Sequence, residues 1–223
     1  MIETLIFDMD GLMFDTEILS FACWKTAAAK YGYQITEALF LETLGQTVEK
    51  SREIYGEFFG EDFPFEAVKQ ERFRLGAEYL RTNTVPIKDG LLELLAYLKN
   101  HHYKTAVATS SPREIAIPFI EKAGVAKFFD DVVCGDEIIN SKPDPEIFLT
   151  AALKLGSSPE RCMVLEDSES GITAASRAGM KPVLIPDLKE PSTEVRQLAF
   201  RQFKSLKQVQ QMLEEKMLSQ KEI

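Results

Sequence analysis

Residues Leu5–Glu17 read L-I-F-D-M-D-G-L-M-F-D-T-E. An apolar run of strand length, Thr4–Phe7, drives into Asp8; one residue separates Asp8 from Asp10, and Gly11 follows at once. Two readings of this acid pair are open. The carboxylates cap a turn or helix, or a cation holds them together. Like charges 4 Å apart repel by about 4 kcal/mol at an effective dielectric of 20, so the second reading needs a positive partner.

Further apolar runs of strand length occur at Thr105–Ala108, Asp131–Cys134, Cys162–Leu165 and Pro182–Ile185. Helix-period segments lie among them at 88–101, 112–123, 144–155 and 168–178. Strands alternating with helices predict an α/β fold: a Rossmann-like parallel sheet core with helices on both faces. A-F-R-Q-F at 199–203 is expected as an edge strand, before a final helix that Ser205 caps. The long interval between the first two runs reads as helix only. Ile18, Phe21, Trp24 and Ala28 share one helical face, and 36–44, 48–58 and 65–79 follow, with Thr47 as a cap. Gly60 suits a helix end and Pro64 a first turn. The expected organisation is a core domain of 1–15 and 83–223 carrying a four-helix cap domain at 16–82. Two crossings permit such an insert to hinge.

Composition narrows the function classes. A net charge of −9 argues against a general binder of nucleic acid or anionic membrane, which needs basic surface. Cys23, Cys134 and Cys162 are odd in number and lack metal-ligand spacing, so free buried thiols are expected. The N-terminus has no basic leader segment, and no apolar stretch approaches the roughly 18–20 residues of a membrane span. A cytoplasmic monomer is the expectation.

In open parallel sheets, ligands bind beyond the carboxyl ends of the strands. Asp8 and Asp10 follow the first run, and Thr109-Ser110-Ser111-Pro112 follow the second. The third leads to Lys142-Pro143-Asp144-Pro145, and the fourth ends in Glu166-Asp167-Ser168. Four gathered carboxylates call for a hard divalent cation, and all-oxygen ligands select Mg2+. A hydroxyl and N–H groups opening a helix, with Lys142 as a point charge, form an anion site. Metal, anion site and a further carboxylate together describe phosphoryl transfer. Plainer readings stand beside this one. Thr109–Ser111 also suits a helix cap, Glu166-Asp167 could cap the next helix, and Asp15-Thr16-Glu17 should open the first insert helix. His101 and His102 close a helix, where cations are favoured. Trp24 and the Phe-rich stretch 58–65 should form the core of the insert.

The four motifs F-D-M-D-G, A-T-S-S, S-K-P-D-P and L-E-D-S-x-x-G, in this order, resemble the haloacid dehalogenase superfamily. The resemblance is to its subgroup with a helical cap after the first strand, which includes β-phosphoglucomutase and phosphatases of phosphosugars and nucleotide-like monophosphates. It implies Asp8 as nucleophile, forming an aspartyl-phosphate, and Asp10 as general acid and then base. It implies Mg2+ held by Asp8, the Asp10 carbonyl and Asp167, with Glu166 as a ligand or just outside. Thr109 and the Ser110 N–H would bind the phosphoryl oxygens, and Lys142 would neutralise Asp8 and the transferring group. The Gly45-Gln46-Thr47 turn would reach substrate from the cap, and Lys69, Arg72 and Arg74 are candidates to steer an anion. The implied activity is a Mg2+-dependent phosphatase of small phosphorylated metabolites; the alternative is a β-phosphoglucomutase-type mutase. Ser20 stands where that mutase carries a histidine, and G-Q-T-V-E-K lacks its cap arginine, so both departures favour the phosphatase. Asp10 disfavours a dehalogenase, whose halide leaving group needs no proton, and four intact motifs disfavour a non-catalytic binding module.

Overall fold

The computed structural model describes residues 2–44 and 46–221, with side chains through Glu215. Strand β1 (Thr4–Phe7) is followed by four helices: α1 (Thr16–Ala29), α2 (Glu37–Thr43), α3 (Val48–Phe59) and α4 (Phe65–Thr82). Then come α5 (Leu91–Asn100), β2 (Lys104–Ala108), α6 (Arg113–Lys122), β3 (Asp131–Val133), α7 (Glu146–Lys154) and β4 (Cys162–Glu166). The chain finishes with α8 (Glu169–Arg177), β5 (Lys181–Leu184), α9 (Thr193–Leu198), β6 (Arg201–Gln202) and α10 (Leu206–Lys221).

The strands form one parallel sheet in the order β3-β2-β1-β4-β5-β6. Its register sets Phe7 between Val107 and Leu165, so β1, β2 and β4 end side by side. The order of strands reverses between β1 and β4, which opens a crevice at their carboxyl ends. Ile6, Ala106, Ala108 and Val164 pack with Ile147, Phe148 and Ala151 of α7 and Ala174 and Ala175 of α8. Their neighbours Leu5 and Phe7 are equally buried. Apolar cover on both faces is why β1 reads as an unbroken run and not as an alternation. Replacing a fully buried residue such as Phe148 by Ala costs about 3–5 kcal/mol.

The chain divides into two compact units, Met1–Phe14 with Pro86–Ile223, and Asp15–Val85. The second has its own core of Ala27, Leu39, Phe40, Tyr55, Phe63 and Phe65, with Trp24 packed against it. The Trp24 and Tyr55 ring centroids are 5.2 Å apart. Thr36 and Thr47 accept the N–H groups of Leu39 and Lys50, opening α2 and α3 as N-caps. Gly60 ends α3 at φ 93°, a conformation that favours glycine.

Two local expectations need correction, and one element is additional. Asp15 precedes α1, but its side chain makes no capping bond. Phe58 is 60% exposed, so the Phe-rich stretch is not wholly core. The six-residue helix α9 was not expected; it has no buried residue and is too short to display an apolar period.

Candidate active site

The ends of β1, β2 and β4 and the loop after β3 each deliver one part of the site. The ladder continues past β1 through a bond from Asp8 N–H to Leu165 O at 3.0 Å, holding Asp8 rigidly between β2 and β4. Beyond it the chain folds back on itself. Phe14 N–H donates to Met9 O, and Gly11 N–H donates to Phe14 O at 3.0 Å. This tight loop needs Gly11, whose φ is 84°. A Cβ there would also lie 2.4 Å from Asp167 Oδ2.

Lys142 reaches the same point from the loop before α7. That loop is latched by its own acids. Asp144 accepts the Glu146 N–H at 3.0 Å, and the Glu146 carboxylate accepts the N–H groups of Ile139 and Asn140 at 2.8 Å each. The Lys142 side chain is 5% exposed. Its three N–H donors are matched by three acceptors: Asp8 Oδ1 at 2.5 Å, Glu166 Oε1 at 2.7 Å and Ala108 O at 3.2 Å. The ammonium also lies 4.9 Å from the Phe148 ring centroid. Burial alone would disfavour the ammonium, but Asp8 and Glu166 outweigh it and raise its pKa above the usual lysine range.

Glu166 is fully buried. Its Oε2 accepts both the N–H and the hydroxyl of Ser168, each at 2.9 Å. Ser168, and not Glu166 or Asp167, caps α8, by accepting the Gly171 N–H. Asp8, Glu166 and Asp167 each offer a carboxylate oxygen within 4.8 Å of the others. Burial pushes the Asp8 pKa up to about 8; Lys142 opposes the rise, while Glu166 and Asp10 add to it. Three carboxylates thus face one ammonium in a largely buried corner, and ionising Asp8 leaves it short of positive charge. A divalent cation fits that deficit, and an all-oxygen donor set suits Mg2+.

The second strand end supplies hydroxyls. Thr109 is buried, and its Oγ1 accepts the Ser111 N–H at 3.1 Å. The Ser111 hydroxyl donates to Asp10 Oδ2 at 2.9 Å, which fixes that carboxylate's orientation. The capping expectation for Thr109–Ser111 is corrected here. Pro112 precedes α6 with no side-chain cap, and the Arg113 N–H donates instead to Asp136 Oδ1 at 3.1 Å. Gly135 lets this loop approach closely, since a Cβ there would lie 2.2 Å from Ser110 O.

Asp8, Lys142, Glu166 and Asp167 are thus gathered tightly, and Asp10 is tied to the Thr109–Ser111 loop. Ser110 is exposed. In the insert, Gln46 is exposed and its N–H donates to Thr43 O, whereas Gly45 lies outside the described residues. Of the three candidate anion-steering cations, Arg74 pairs with Glu71 and Glu78, and Lys69 pairs with Glu66. Arg72 donates to the Ser20 hydroxyl at 2.8 Å. The sequence reading left out Ser111 as the partner of Asp10, Ser168 as that of Glu166, and an ion pair between Lys88 and Asp187 beside Gly11.

A family model described as haloacid dehalogenase-like hydrolase matches residues 5–185. A phosphorylated carbohydrates phosphatase of Thermotoga maritima is 36% identical over 186 residues, 81% of this chain and 83% of that protein. A fructose-1-phosphate phosphatase of Escherichia coli is 32% identical over 181 residues, 80% of this chain and 94% of that one. The crystal structure of a β-phosphoglucomutase from Clostridium difficile superposes with a TM-score of 0.75 at 26% identity, over 98% of this chain and all of that one (100%). With its motifs at the ends of adjacent parallel strands and the model match across most of its length, the chain belongs to the haloacid dehalogenase-like hydrolase family.

Proposed function

We propose that the protein is a Mg2+-dependent phosphatase of small phosphomonoesters, with phosphosugars as its first substrate class. The observation that carries this reading is the buried Asp8 carboxylate, held by Lys142 and crowded by Glu166 and Asp167. Such a group is rigidly aimed and electrostatically incomplete. The relatives named as phosphatases of phosphorylated carbohydrates support the substrate class.

In this reading an Asp8 oxygen attacks phosphorus, forming an acyl-phosphate bond as the ester P–O bond breaks. Asp10, held by Ser111, gives its proton to the departing alkoxide. It then takes a proton from the water that attacks the aspartyl-phosphate, releasing inorganic phosphate and restoring Asp8. The Thr109 hydroxyl and the Ser110 N–H bind the phosphoryl oxygens, and the Lys142 ammonium beside Asp8 offsets their negative charge. Asp8, Asp167 and the Asp10 carbonyl would hold Mg2+. Glu166, with both oxygens already engaged, chiefly orients Lys142. Bound Mg2+ supplies Lewis-acid stabilisation of the charge developing on the phosphoryl group. The insert Asp15–Val85 serves as the cap that selects substrate.

A mutase of the β-phosphoglucomutase type is the second reading, favoured by the fold shared with that enzyme's structure. The Ser20–Arg72 bond weighs against it, because it occupies a position where the resemblance calls for histidine. A panel of phosphosugars and nucleoside monophosphates, compared by kcat/KM with phosphate release as the readout, tests both. Phosphate release that is fastest on phosphosugars and needs Mg2+ is expected. Conversion of β-glucose 1-phosphate to the 6-phosphate without net phosphate release would establish the mutase instead.

A further inference from the structure

The end of β5 brings another carboxylate to the cation corner. Because β5 lies parallel beside β4, with Leu184 paired to Glu166, Asp187 leaves the sheet at the same edge as Asp167. The two acids converge over Gly11. A Cβ built there would lie 2.4 Å from Asp167 Oδ2 and 3.4 Å from Asp187 Oδ2. The other Asp187 oxygen, Oδ1, accepts from Lys88 Nζ at 2.5 Å, and the Asp187 side chain is only 10% exposed. Lys88 is itself anchored to the loop after β1. Its N–H donates to Met13 O at 2.9 Å, and Ile87 bridges Phe14. The ion pair therefore ties the loop that carries Gly11 to the loop that carries Asp187.

A further acid beside an acidic trio adds repulsion, which Lys88 offsets on one side. The second oxygen, Oδ2, shares the space over Gly11 with Asp167 Oδ2. Mg2+ keeps several water ligands, and carboxylates just outside the direct ligands orient both those ligands and the waters. We propose that Asp187, pinned by Lys88, is a positioning residue of the cation site that acts through Asp167 and the ion's water shell. This inference rests on the Mg2+-dependent reading above.

Simple charge counting and positioning differ in sign for Lys88. Removing a nearby positive charge should tighten cation binding if only net charge matters, and should loosen it if Lys88 holds Asp187 in place. The test is calorimetric titration of MgCl2 into the full chain without substrate, with the melting temperature of each metal-free variant measured alongside. Asp187→Asn is expected to weaken Mg2+ binding by about 10- to 100-fold. Lys88→Met should weaken it too, and Lys88→Arg should restore it. In turnover, Asp187→Asn should raise the Mg2+ concentration needed for half-maximal rate far more than it lowers kcat at saturating Mg2+. Tighter binding by Lys88→Met overturns the positioning role, as does wild-type affinity in Asp187→Asn. A wild-type protein that binds no Mg2+ overturns this inference together with the function it rests on. One that binds Mg2+ and hydrolyses phosphosugars, while Asp187→Asn binds equally well, overturns this inference alone.

Discussion

Lys142 Nζ donates to Asp8 Oδ1 at 2.5 Å although 134 residues separate the two in sequence. The pair is buried, and the same ammonium also serves Glu166. Removing the ammonium would leave two buried carboxylates facing each other. Lys142→Met is therefore expected to cost about 3–5 kcal/mol of unfolding free energy, measured by urea denaturation of the metal-free protein. Phosphatase activity should fall with it, because the variant also lacks the charge proposed to neutralise Asp8 and the phosphoryl group.

Asp8 makes stability depend on pH. Its ordinary value is 3.8 and its folded value is raised to about 8, mainly by burial, so the native state holds the proton more tightly. The stabilisation from this group is fully present below about pH 4 and is lost as pH rises through about 8. The melting temperature of the metal-free protein should fall across that window, and Asp8→Asn should flatten the trend. If Asp8 holds Mg2+ as proposed, the ion competes with the proton for this carboxylate, so its stabilising effect should grow with pH. Scanning calorimetry across the window, with MgCl2 and with EDTA, measures both effects.

Two glycines are expected to respond in opposite directions. A Cβ at Gly171 would stand 1.8 Å from Glu166 Oε1 and 1.9 Å from Cδ, so Gly171→Ala must displace the buried carboxylate that orients Lys142. Loss of both stability and activity is expected. Gly76 lies inside α4 with nothing within 4 Å of an added Cβ. Gly76→Ala should stabilise the protein by about 0.5–1 kcal/mol through helix propensity, with catalysis unchanged. Thermal unfolding and steady-state kinetics on the two variants separate the cases.

Asp10 should matter in proportion to how much its proton is needed. Asp10→Asn is expected to slow hydrolysis of an alkyl phosphomonoester such as a phosphosugar by about 100- to 10,000-fold. The step that breaks the ester should suffer less with an aryl phosphate, whose phenolate leaves without a proton. Ser111→Ala, which frees the Asp10 carboxylate to rotate, should give a smaller loss. Burst kinetics on the two substrate types distinguish these outcomes.

Much of this site was legible in the chain because a parallel sheet turns sequence order into spatial order. Each apolar run ends at the same edge, so the residues after Phe7, Ala108 and Leu165 had to meet. Lys142 was expected in the anion site from its place after the third run, but its contact with Asp8 was implied only by the resemblance, since nothing in S-K-P-D-P says which way its loop returns. Partners chosen by side-chain rotation were not legible. Ser111 and not its neighbour bonds Asp10, and Ser168 and not the acids before it caps α8. Asp187 was within reach, because reading past the run Pro182–Ile185 leads to I-P-D. Lys88 was not, because a lysine before Asp89-Gly90 carries no local sign of a partner 99 residues away.

The covalent step at Asp8 is tested most directly by acid-quenching the Asp10→Asn variant during reaction with an aryl phosphate and mapping the phosphoryl group by peptide mass spectrometry. That variant keeps the nucleophile and lacks the base for the second step, while a phenolate leaves without the proton it can no longer give in the first, so a phosphoryl adduct should accumulate on Asp8. Turnover by the wild-type protein with no adduct in the variant, or an adduct on any other residue, would contradict the role assigned to Asp8.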